Sequence, residues 1–178
     1  YSVAHEYVLP EYAIIDCDLT ANLPPAITAH TGLDALSQAL ESLWRVNATE
    51  ESSEFASEAV MLVLKNLEAA VHDPTPDVRC DMCRAAHLAG KAINISKTTA
   101  PHAISYTITS QFGVPHGLAV ALTLGAVLVF NSGVTDDDCW HPEGAEQVGQ
   151  ALKDIYRLMG VDGPENARAR VDHLIAAV

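Results

Sequence analysis

The run GLAVALTLGAVLVF, residues 117 to 130, constrains this chain more than any other stretch. It has no charged side chain, yet it is shorter than the roughly 20 apolar residues needed to cross a bilayer. A helix that is apolar on every face belongs inside a protein, so the run reads as a buried helix. With 178 residues and 49% hydrophobic content, the chain is long and apolar enough to bury a real core around it.

The surrounding segments have the periodicity such a core requires. In NLPPAITAHTGLDALSQALESLW, a proline-marked turn passes into a helical pattern with Leu33, Leu36, Leu40 and Leu43 at three- and four-residue steps, with Gly32 slightly weakening its start. SEFASEAVMLVLKNLEAAVHD predicts a second amphipathic helix, capped by Ser52 or Ser53 and closed by Asp73-Pro74. A third spans about 77–95. Thr98 and Thr99 offer caps ahead of Pro101, Gly113 closes a short helix, and Val114-Pro115-His116 opens the next. A polar loop at 131–144, with a solvated aspartate run at 136–138, precedes helices over about 145–159 and from Pro164 to the end. One strand-like piece, YAIID at 12–16, lies between Pro10 and the Asp16/Asp18 turn residues. The predicted architecture is mostly α: a junction segment over 1–20 with a short β fringe, then an all-helical bundle over 21–178.

Charge narrows the partners. Ten basic against 23 acidic residues give a formal net charge of −13, which disfavours nucleic acid and anionic membrane surfaces. Cys17, Cys80, Cys83 and Cys139 are irregularly spaced behind no recognisable leader, the pattern expected of a protein in a reducing cytoplasm. Cys80 and Cys83 form a C-x-x-C, but no second pair completes a zinc site, so its spacing reads as chance or packing.

The chemistry concentrates in TTAPHAISYTITSQFGVPHG, residues 98 to 117, where two histidines fourteen positions apart each follow a proline. One continuous helix would hold His102 and His116 about 21 Å apart at 1.5 Å per residue, beyond the reach of a single ion. A reversal at Gly113 would place each imidazole in the first turn of its own helix, near a common point. Asp34, which shares a helix face with Gln38 four residues on, supplies a candidate third ligand. An aspartate with two histidines suits Fe²⁺ or Zn²⁺ with an open position for a substrate oxygen. Histidines near a helix start are more often packed or capping residues than ligands, and Asp34 also reads as an exposed first-turn acid, so spacing alone does not establish a metal site.

TGLDALSQALESLW, KAINISKTTAPHAISY and FGVPHGLAVALTLGAVLVFN resemble, in order and separation, the metal-binding half of the iron-containing alcohol dehydrogenases. The resemblance implies a helical domain in which an aspartate and three histidines hold a divalent cation, iron ahead of zinc, beside a nicotinamide-binding domain. Carried over by position, it makes Asp34, His102 and His116 metal ligands. Gln38 stands where the family has its remaining histidine, and its amide oxygen is expected as a weaker fourth ligand. Tyr106 replaces a further active-site histidine and is expected either to donate a proton to the substrate oxygen or to fill space. At His116-Gly117 the absence of a bulky side chain is expected to leave room for cofactor or substrate.

SKTTAPH is similar to the subgroup that reduces phosphonoacetaldehyde. Lys97, Thr98 and Thr99 would then face the phosphonate at a helix N-terminus; they serve equally as a solvated lysine and caps. The implied partner is a small aldehyde or alcohol, reduced by hydride from NAD(P)H in a full-length protein. No G-x-G-x-x-G follows a strand in this sequence, so the chain is expected to be an excerpt, inactive alone, whose exposed junction surface could support a homodimer. The competing expectation is a catalytically inactive helical binding or interaction module that keeps the fold. A dehydroquinate synthase-type lyase fits the T-T-A-P-H and P-H-G contexts poorly.

Overall fold

A computed structural model describes residues 5–178. Seven α-helices follow two single 3₁₀ turns, Glu6–Val8 and Cys17–Thr20: α1 Pro25–Trp44, α2 Glu50–His72, α3 Pro76–Ser96, α4 Ala100–Phe112, α5 His116–Ser132, α6 Gly144–Met159 and α7 Pro164–Ala177. Among these helices, none is long and apolar enough to cross a membrane.

Helix α1 is the hub, packing against α2, α3 and α5. Its leucine stripe is enclosed, with Leu33, Leu36 and Leu40 at most 1% exposed, and Ala29, Ala35 and Ala39 let neighbouring helices approach. Pro25 starts the helix at the position where a missing N–H costs nothing. Helix α2 begins three residues earlier than Ser53, because Thr49 and Ser52 form a reciprocal capping box. Helix α3 opens on a Thr75 cap with Pro76 in its first turn. The apolar α5 lies between α1, α4 and α7, and Ala121, Leu124 and Leu128 join the core.

The β fringe does not form. Among the described residues there is no strand, and 12–16 run as irregular chain with Ile14 93% exposed. A strand needs a neighbour to accept its backbone hydrogen bonds, and no other segment here supplies one. Where the predicted junction segment meets the bundle, Cys17 is disulfide-bonded to Cys80 of α3 across 63 residues of sequence. This pairing departs from the picture of reduced thiols. It arises because the Cys17–Thr20 turn packs on α3 and brings the two Cα atoms to 5.0 Å. Cys83 and Cys139 are free.

Candidate metal centre

The reversal that the histidine spacing requires is present. Helix α4 ends at Gly113, whose backbone is left-handed at φ 70° and ψ 13° and whose N–H closes on the Thr109 carbonyl at 3.0 Å. Glycine takes that conformation without steric cost. After Val114 and Pro115, α5 begins at His116 and packs beside α4, so the thirteen intervening residues return His116 to the end of α4 that carries His102. The two rings lie 5.4 Å apart, edge to face.

Asp34 meets them from α1. Its Oδ1 is 3.4 Å from His102 Nε2 and 3.6 Å from His116 Nε2, and one ligand atom from each of the three residues lies within 4.8 Å of the others. A cation with ligand bonds of about 2.1 Å would draw such a set together with small side-chain rotations. Asp34 Oδ1 and His102 Nε2 are buried and have no hydrogen-bond partner in the protein. Two buried polar atoms aimed at one point without a well-formed hydrogen bond call for a positive partner, a proton or a metal ion, so the residues present fit a divalent cation.

The remaining atoms of these side chains are occupied. Gln38, one turn beyond Asp34 on α1, donates from Nε2 to Asp34 Oδ2 at 2.8 Å. His116 Nδ1 is 3.3 Å from Ser105 Oγ, whose own proton goes to the His102 carbonyl at 2.7 Å; His116 Nδ1 is therefore the donor and its Nε2 lone pair faces Asp34. His102 Nδ1 contacts Glu41 Oε2. Burial works to lower the His102 pKa, but the neighbouring Asp34 carboxylate and the hydrogen-bonded Glu41 carboxylate outweigh it and raise the value from 6.5 to about 9.

Helix α1 and α5 come together through Gly117. A Cβ there would stand 1.8 Å from the His30 carbonyl oxygen and 2.9 Å from Asp34 Cβ. The space expected for cofactor or substrate at Gly117 is thus filled by α1, and the glycine serves to bring Asp34 up to the histidines.

The other candidates divide. Tyr106 stacks on His116 with ring centroids 6.0 Å apart and is 57% exposed. Lys97 is exposed and donates from Nζ to the Asn94 carbonyl at 2.8 Å, while Thr98 is half-buried beside it. Thr99 does not cap α4 with its side chain; its N–H and hydroxyl both donate to Glu41 Oε1, at 2.7 and 2.6 Å. Sequence reasoning passed over Glu41, Ser105 and Trp44. Glu41 had a signal: Asp34, Gln38 and Glu41 fall at steps of four and three, a polar stripe on one face of a helix otherwise rich in leucine and alanine.

Known proteins resemble this chain in sequence and in fold. The family described as "Fe-containing alcohol dehydrogenase family, C-terminal" matches residues 28–178. The phosphonoacetaldehyde reductase of Streptomyces viridochromogenes is 37% identical over 172 residues, covering 96% of this chain and 43% of that protein. Among solved structures, sulfoacetaldehyde reductase from Bifidobacterium kashiwanohense in complex with NAD⁺ aligns at 34% identity and a TM-score of 0.64, over 83% of this chain and 41% of that one. The iron-containing alcohol dehydrogenase of Corynebacterium glutamicum aligns at 25% identity and a TM-score of 0.73, over 90% and 42%. The chain therefore spans about two-fifths of the length of the relatives it matches.

Proposed function

The chain belongs to the Fe-containing alcohol dehydrogenase family, and from that premise we propose that it is the metal- and substrate-binding part of a nicotinamide-dependent aldehyde reductase. The observation that carries the proposal is the pair of orphaned atoms, Asp34 Oδ1 and His102 Nε2, buried and converging with His116 Nε2. Asp34, His102 and His116 would hold the ion, iron ahead of zinc, with Gln38 at its edge. When bound, a divalent cation supplies Lewis acidity that polarises an aldehyde carbonyl toward hydride from reduced nicotinamide.

The chain's own residues do the rest. Tyr106, stacked on His116, carries a hydroxyl suited to return a proton to the substrate oxygen. Its exposure leaves it accessible to a substrate arriving from solvent. Lys97 and Thr98, in the turn leading to the helix that bears His102, supply the contact for an anionic group on the substrate. Thr99 contributes differently, through its hydrogen bonds to Glu41. A small aldehyde bearing a phosphonate is the substrate these residues suit, in keeping with the name of the Streptomyces relative.

The test uses a full-length protein containing this sequence, loaded anaerobically with Fe²⁺ and supplied with NADH or NADPH. Phosphonoacetaldehyde should be reduced with a higher kcat/KM than propanal, and Lys97→Ala should erase that preference. Equal rates on the two aldehydes would discard the phosphonate assignment. Reduction undiminished in Asp34→Asn would discard the metal site.

A further inference from the structure

Glu41 is a fully buried carboxylate, 0% exposed, in a helix whose other buried residues are all uncharged. It is not among the residues whose ligand atoms converge. Packing alone does not call for a charge at this place, since an apolar side chain of similar volume fills such a position without desolvation cost. Its three polar contacts are arranged with a division of labour. Oε1 accepts from the Thr99 N–H and hydroxyl, and Thr99 Oγ1 is held in turn by Trp44 Nε1 at 3.1 Å. Oε2 is left for one partner, Nδ1 of His102, which is itself only 5% exposed.

We propose that Glu41 is the positioning residue of the metal centre, acting through His102. Held by Thr99 and Trp44, the carboxylate keeps a proton on His102 Nδ1 and so leaves the Nε2 lone pair directed at Asp34 and the ion position. Its charge also makes the imidazole a stronger donor to a cation. The two histidines are consequently unequal. His102 is backed by a buried carboxylate, whereas His116 is backed by the neutral hydroxyl of Ser105 at the longer distance of 3.3 Å. The inference deepens the metal-site reading and rests on it.

The experiment measures Zn²⁺ affinity of the purified chain by competition with a chromophoric chelator, for wild type, Glu41→Gln, His102→Ala and the double variant. Glu41→Gln keeps the shape and a hydrogen-bond acceptor while removing the charge. It should bind Zn²⁺ about 10- to 100-fold more weakly, and adding it to His102→Ala should weaken binding no further. A second readout does not depend on any variant folding: ¹⁵N NMR of the zinc-loaded wild type should show His102 with its proton on Nδ1 and the ion on Nε2. Undiminished affinity in Glu41→Gln or an additive loss in the double variant would overturn the proposal while leaving the metal site standing, whereas a protonated Nε2 in the loaded protein would remove His102 from the ligand set and overturn both. Absence of Zn²⁺ binding in the wild type would overturn both.

Discussion

Residues 5–24 and the helix that follows them are both rich in apolar side chains, and they use them in opposite ways. In α1 the apolar residues interlock with three other helices, and Leu40 is fully enclosed. In the preceding segment Tyr7, Tyr12, Ile14 and Leu19 are each more than 80% exposed. Its ties to the bundle are few: the Cys17–Cys80 bond, a hydrogen bond from Arg79 to the Leu23 carbonyl, and a Thr20–Cys83 contact. Hydrophobic content therefore does not determine burial; a periodic match to a neighbouring surface does. The bundle contains its partners within the chain, whereas Tyr7, Tyr12, Ile14 and Leu19 of the leading segment remain largely uncovered among the described residues.

Four perturbations sharpen this contrast. Leu40→Ala, in the enclosed stripe, should cost about 2–5 kcal/mol by chemical denaturation; a loss below about 1 kcal/mol would mean that α1 is not the hub. Gly117→Ala should cost about 1–3 kcal/mol, because the new Cβ meets the His30 backbone carbonyl rather than a side chain that can rotate away. It should also lower metal affinity by forcing α5 from Asp34, whereas Gly149→Ala, where a Cβ meets nothing within 4 Å, should leave both unchanged.

The third concerns pH. In the ion-free chain His102 binds its proton more tightly folded, with a pKa of about 9, than unfolded, at 6.5. Its contribution to stability is thus complete below pH 6.5 and is lost as pH rises through 9. Saturating Zn²⁺ should reverse that slope over the same window, since the ion competes with the proton. Melting temperatures across pH 6 to 9.5, with and without Zn²⁺, check the sign; parallel curves would show that His102 is not where the ion binds. The smallest effect is expected in the leading segment, where Ile14→Ser should change bundle stability by less than about 0.5 kcal/mol. A larger loss would mean that the segment packs more than its exposure implies.

The same contrast explains what the sequence discloses. The helices are legible because their signals are local: leucines at three- and four-residue steps, Pro25, Pro76 and Pro164 in first turns, and Gly113 at the left-handed reversal. The reversal in turn made a meeting of His102 and His116, with Asp34 as candidate partner, one reading of the spacing, and the resemblance favoured that reading. YAIID misled because alternation describes a side chain's preference for a sheet and says nothing of whether a second strand exists to pair with it. Cys17 and Cys80 were not legible as partners because their proximity follows from how one 3₁₀ turn lies on α3, a tertiary fact with no trace in cysteine spacing. Thr99 looked like a cap. Its hydroxyl instead serves a carboxylate 58 residues earlier, which only the packing of α1 against the start of α4 makes available.

The central claim is that three side chains from three helices share one cation. Metal analysis and calorimetry of the purified chain with Zn²⁺, and with Fe²⁺ under anaerobic conditions, test it most directly. One ion per chain, lost in each of Asp34→Asn, His102→Ala and His116→Ala while the helical circular dichroism persists, is the predicted result. No ion in the wild type at millimolar metal, or full binding retained in any of the three variants, would contradict it.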